Sequence, residues 1–188
     1  MYKKWHTISG KTYYFHSTTG IMRTGWFKPS SGNVYYLGED GVKQSGLKVI
    51  DGEYYYLLTD NLYRSNWKYI GSKTYYFGSD GIGYRGFHGI SGKTYYFDTK
   101  AQMVKGWNEI DGETYYFNTV TGAMVTGKKQ IDGTWYYFQE DGKLIDGFVK
   151  KYGHWYYYDA NDKMAKGFVV IKEHKYLFNS KGWMIAKD

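Results

Sequence analysis

The chain has no cysteine, so thiol nucleophiles, disulfides and thiolate metal ligands are excluded, and the redox compartment is left open. A single proline beside 25 glycines excludes collagen and proline-rich linkers. No apolar run approaches the roughly 20 residues that a membrane-spanning helix needs, so no membrane span is expected. The segment from Met1 to Trp5 lacks the apolar core and small-residue cleavage site of a secretory signal, and any signal is expected upstream of this chain. Branched aliphatics and phenylalanine are scarce. Ile, Leu, Val and Phe make up 37 of 188 residues, just under the roughly 20 % that, with high net charge, marks disorder. What is present reverses that reading: 24 Tyr and 7 Trp supply the missing apolar area, most of it carrying a polar handle. The net charge of +7 favours polyanionic partners such as nucleic acid, teichoic acid or acidic polysaccharide without choosing among them.

The aromatics recur with a period. Tyrosine pairs at 13/14, 35/36, 55/56, 75/76, 95/96, 115/116 and 136/137, followed by the 156 and 176 positions, are spaced 20 to 22 residues apart and divide the chain into nine units. The boundaries are 5–25, 26–46, 47–66, 67–86, 87–106, 107–127, 128–147, 148–167 and 168–188, within a single repeat domain over 1–188. A period this short means units that cannot bury their own faces and must stack. In each unit an Asp-Gly or Ser-Gly pair, as at Asp111-Gly112, separates two β-prone runs, which is a strong hairpin signal. Alternation along a strand places Tyr115 and Phe117 on one face and Tyr116 on the other, so both faces are aromatic. The expected fold is an all-β solenoid of about nine stacked β-hairpin repeats. Every methionine after Met1 falls in one slot of the repeat (Met22, Met103, Met124, Met164, Met184) and reads as packing between hairpins.

Signals for chemistry are weak. Gly81 to Gly86 matches G-x-G-x-x-G, but two of its glycines are ordinary repeat positions and no helix is expected to follow, so a dinucleotide site is not expected. The five histidines show no metal-ligand spacing, and no serine sits in a nucleophile motif. Acidic clusters at Glu39-Asp40, Glu140-Asp141 and Asp159 to Asp162 read as turn chemistry, without calcium-loop spacing. The lysines are dispersed, which argues against nucleic acid. No catalytic residue, cofactor or metal is expected.

Gly25-Trp26, Gly106-Trp107, the Tyr-Tyr-Phe triplets and the run from Gly122 to Gly127 resemble the cell-wall-binding repeats of Gram-positive surface proteins. That superfamily includes choline-binding modules, glucan-binding repeats of glucosyltransferases and short repeats of clostridial toxins. The resemblance implies a hairpin solenoid. In choline-binding members it also implies an aromatic cage between consecutive repeats, built from the opening Trp, the residue ahead of the Tyr pair and a neighbouring ring. The residue ahead of the pair is aromatic at Tyr54, Trp135 and Trp155. The opener is Trp5, Trp26, Trp67, Trp107, Phe87, Phe148 or Phe168, with Leu47 and Lys128 in the other two units. Joining each triplet to the next opener gives three expected cages: Tyr54 with Trp67, Trp135 with Phe148, and Trp155 with Phe168. Trp26 and Trp107 are further ligand candidates. A quaternary ammonium cannot donate hydrogen bonds, so ring faces are how such a site would hold it.

These readings imply a non-catalytic module, extracellular on a bacterial surface or secreted, that anchors a larger protein through the choline of teichoic acid or a wall glycan. The Gly-Lys-Thr-Tyr-Tyr-Phe form at residues 92–97 looks more like the glucan-binding and clostridial branches, so α-glucan or host glycan stands as an alternative. A spacer without ligand is a third. The last repeat departs most from the pattern and is left open as a surface for a homodimer.

Overall fold

The structure is a computed structural model and describes residues 1–145, 147–159 and 163–188. Among the described residues there are 19 strands and no helix long and apolar enough to cross a membrane. The chain divides into two compact units, one of residues 1–88 with 97–103 and the other of residues 89–96 with 104–188.

In the first unit, antiparallel hairpins join β1 (Lys4–Ile8) to β2 (Lys11–Phe15), β3 (Gly25–Phe27) to β4 (Tyr35–Leu37), β5 (Gly46–Ile50) to β6 (Glu53–Leu57), and β7 (Asn66–Ile70) to β8 (Lys73–Phe77). β9 (Gly86–Ile90) and β10 (Lys93–Phe97) form a further two-stranded sheet. In the second unit the pairs are β11 (Gly106–Ile110) with β12 (Glu113–Phe117), β13 (Gly127–Ile131) with β14 (Thr134–Phe138), and β15 (Gly147–Lys151) with β16 (His154–Tyr158). β17 (Gly167–Ile171), β18 (His174–Phe178) and β19 (Met184–Lys187) close that unit as a three-stranded sheet. The all-β, hairpin-repeat class expected from the sequence is the class observed.

The hairpin turns follow from residue chemistry. At Asp111-Gly112 both residues have positive φ, 54° and 79°, the primed turn whose twist matches that of the strands it joins. Turn and register then fix each other: Ile110 faces Glu113 and Gly106 faces Phe117. Lys172-Glu173 makes the same turn at 47° and 72° without a glycine, where a side chain costs backbone strain.

A lone hairpin is marginal in water, so stability must come from stacking. The residue closing the triplet is buried in every repeat but the first: Leu37, Phe77, Phe97, Phe117 and Phe138 are fully covered, and Tyr158 and Phe178 nearly so. Covering one such side chain stabilises by roughly 1.5–3 kcal/mol. Burial also pushes the Tyr158 hydroxyl well above its ordinary value. Ile110, Tyr115 and Phe117 form one such core, with Tyr96, Val104 and Met124 packed against it.

A backbone hydrogen bond recurs between successive repeats. The N–H of the methionine-slot residue donates to the carbonyl of the residue ahead of the previous Tyr pair: Lys43 to Thr12, Gly83 to Tyr54 and Met103 to Thr74 in the first unit, Met124 to Thr94 and Leu144 to Thr114 in the second, each at 2.8 Å. The slot side chain then reaches the next repeat's turn. Met164 covers Gly182 so closely that a Cβ there would lie 2.6 Å from its Sδ. Glycine is required at that turn by contact as well as by its φ of 80°.

Candidate functional site

Hairpin arithmetic places the site. The turn at Tyr152-Gly153 pairs Lys151 with His154 and therefore Phe148 with Tyr157. Trp155 lies two residues before Tyr157, on the same face and diagonal to Phe148. The residue ahead of the Tyr pair thus shares a face with the opener of its own repeat. The first tyrosine of the next repeat completes the corner, because slot-to-triplet docking brings the following hairpin against this face.

The corner recurs with little variation. Ring centroids lie 4.8 Å apart for Trp5 and Tyr35, Trp26 and Tyr55, and Trp107 and Tyr136, and 4.9 Å apart for Phe148 and Tyr176, all steeply tilted. The third wall differs: Thr12, Val34, Thr114 and Trp155, respectively. Of these four positions only the last is aromatic, and it puts Phe148, Trp155 and Tyr176 around one corner. Phe148, Trp155, Tyr176, Met184 and Lys187 line a cavity of about 300 Å³ there. Trp155 is 41 % exposed, so a ring face is open to solvent. At the rim, Lys150 Nζ stands 5.9 Å from the Trp155 centroid and Lys187 Nζ 5.5 Å from that of Tyr176.

A second cavity, of about 330 Å³, is lined by Trp26, Val34, Tyr55 and Leu62 with the charged groups of Lys28, Arg64 and Asp80. Burial first, then the Glu53 carboxylate, push the Tyr55 hydroxyl up from its ordinary value, so this wall is a neutral phenol across the physiological range.

The ring partnerships differ from those expected. Trp155 shares its cavity with Phe148, not with Phe168, which is 82 % exposed. Trp135 and Phe148 stand in separate corners, and the Lys128 ammonium lies 4.7 Å from the Trp135 centroid. Tyr54 packs with Leu47 against Tyr75, Phe77 and Ala101, whereas Trp67 lies edge-on to Tyr76 and tilted over Phe97. The expected pairing took the chain order of triplet and next opener for adjacency. Register instead joins triplet and opener within one hairpin.

Tyr176 is absent from the contacts the sequence leads one to expect, and Met184 reads there as packing first, yet both line the Trp155 cavity. Counting outward from the two-residue turn would have found the Phe148–Trp155 diagonal. The contribution of Tyr176 comes from stacking, which pair counting within a hairpin does not reveal.

The other sequence signals behave as turn and strand chemistry. Gly86 opens β9, where a dinucleotide site would need a helix. Asp40 Oδ1 accepts the Val42 N–H, Asp141 Oδ1 that of Lys143, and Asp159 Oδ1 that of Lys163. Asp162, the last of that acidic group, lies outside the described residues. Among the described residues no group of three or more His, Asp or Glu side chains is placed to hold a metal ion.

The fold resembles that of several solved proteins. Choline binding protein F from Streptococcus pneumoniae is 23 % identical with a TM-score of 0.71, over 97 % of this chain and 86 % of that one. CbpJ from Streptococcus pneumoniae TIGR4 is 21 % identical with a TM-score of 0.74, over 97 % and 87 %. The modular autolysin LytC from Streptococcus pneumoniae is 19 % identical with a TM-score of 0.62, over 98 % of this chain and 48 % of that one. No curated protein matches the sequence. The family model described as choline-binding repeat matches residues 2–43, 84–128 and 125–167, and a cell wall binding repeat model matches residues 65–82. With those matches running over most of its hairpins, the chain belongs to the choline-binding repeat family.

Proposed function

We propose that the chain is a non-catalytic targeting module, extracellular or on the bacterial surface, that holds choline carried by teichoic acid or a related wall polymer. The observation that carries this reading is the cavity of Phe148, Trp155, Tyr176 and Met184. Three rings line the cavity in which a trimethylammonium group would be held by cation–π attraction, with a flexible thioether beside them. Lys150 and Lys187 at the rim would meet the phosphate through which such a polymer carries its choline. The family membership, and a structure of choline binding protein F with a peptidoglycan analogue, support a wall ligand.

The test compares retention of wild type and Trp155→Ala on walls bearing choline and on walls grown without it. Retention that requires choline, is released by free choline and weakens in the variant supports the reading. Equal retention on both walls refutes it.

The Trp26 cavity favours a second reading, α-glucan or host glycan. One exposed indole face beside Lys28, Arg64 and Asp80 suits a sugar ring and its hydroxyls better than a bare cation. Retention on immobilised dextran that is lost in Trp26→Ala would support it. A homodimer through the last repeat is proposed on the exposure of Phe168, Val170 and Ile185, and sedimentation velocity would decide it.

A further inference from the structure

We infer that two of the aromatic corners are closed by the protein's own lysines: Lys43 and Lys128 occupy the cation position and limit which corners an external quaternary ammonium can enter. This rests on the ammonium-cage reading above.

Lys43 stands in the slot that holds methionine in most other repeats. Its Nζ lies 5.3 Å from the Trp5 centroid and 5.7 Å from that of Tyr35, the two rings that form the corner of the first pair of repeats. It also donates to the Thr59 carbonyl at 2.8 Å. The ammonium is therefore positioned by two ring faces and a hydrogen bond, the last of which a trimethylammonium could not make.

Lys128 reaches the equivalent place from another position. It is the opener of its repeat, where Phe148 stands in the next, and its Nζ is 4.7 Å from the Trp135 centroid. The opener's aromatic wall is thus replaced by a cation that lies over the Trp135 ring. In the Phe148 corner, by contrast, Lys150 and Lys187 each reach a single ring at 5.5 Å or more, and the cavity persists.

A tethered group competes at an effective concentration in the millimolar range. It also repels a second cation at close range. A free choline must displace the lysine to enter either closed corner, whereas the Phe148 corner keeps an open cavity beside its two lysines.

Equilibrium dialysis with radiolabelled choline tests this on the full chain as wild type, Lys43→Met, Lys128→Phe and the double variant. Lys73→Met, at an exposed strand position, serves as the charge control. Lys43→Leu and Lys128→Leu are second variants should the first not fold. The expected result is one additional site in each single variant, two in the double and none in the control. The gained site should vanish on adding Trp5→Ala to Lys43→Met, or Trp135→Ala to Lys128→Phe. Folded variants that bind the same number of cholines as wild type would overturn the inference. If wild type binds and the variants add nothing, this inference fails alone. If wild type binds nothing and the variants do, the Phe148 cavity reading fails and the inference stands. If none binds, both fail.

Discussion

Trp155 offers an open ring face beside Phe148 and Tyr176, and removing it leaves two rings of three while touching no backbone pairing. A cation–π contact contributes about 0.5–2 kcal/mol from exposed to desolvated sites, so Trp155→Ala is expected to weaken choline binding roughly 2- to 30-fold with an unchanged far-UV spectrum. Fluorescence titration beside circular dichroism checks both halves. Glu173 makes an independent test of backbone strain. Its φ of 72° is a glycine conformation, and Glu173→Gly is expected to raise stability by about 1 kcal/mol, read from urea unfolding. At this scale the sequence revealed which aromatics interrupt the pattern, Trp135 and Trp155 among them. It did not reveal Tyr176 as a cavity wall, because a tyrosine present in every repeat carries no signal of its own. Nor did it reveal Lys43 against Trp5, a contact across 38 residues of chain made only by stacking.

A hairpin is joined to the next by slot packing, and one junction shows the rule by inverting it. The usual arrangement is a large slot residue over a turn glycine, as with Met124 over Gly142 and Met164 over Gly182. In the fifth repeat the turn holds Ala101, fully buried at a φ of 58°, and the slot beneath it holds Gly83. A Cβ on Gly83 would lie 3.1 Å from the Ala101 Cβ and 3.2 Å from that of Tyr54. Overpacking of this kind costs about 1–3 kcal/mol, so Gly83→Met is expected to lower stability by that amount. Adding Ala101→Gly should recover part of the loss, giving a nonzero coupling in a double-mutant cycle of thermal unfolding. The hairpins and their turns were legible from the Asp-Gly and Ser-Gly pairs and the alternation of Tyr and Phe. The inversion at Gly83 and Ala101 was not, since each looks like an ordinary small residue until the two are seen in contact.

For the molecule as a whole, the charge of +7 and the aromatic corners act on different parts of a wall polymer. Anionic phosphates respond to net charge through screened, long-range attraction, while a quaternary ammonium responds to ring faces at short range. Raising sodium chloride from low to physiological concentration is therefore expected to weaken binding to a choline-bearing anionic polymer several-fold and to change free choline affinity by less than about twofold. Surface plasmon resonance on the polymer, beside titration with free choline, separates the two. If several corners engage one polymer, linked binding raises avidity without any single corner being tight. Nine repeats and the all-β class could be read from periodicity alone, because a short period leaves stacking as the only route to a core. The most direct test of the central claim is the intrinsic tryptophan fluorescence of wild type titrated with choline chloride against sodium chloride at matched ionic strength. A saturable change seen with choline alone and reduced in Trp155→Ala is the predicted result, and identical curves for the two salts would contradict it.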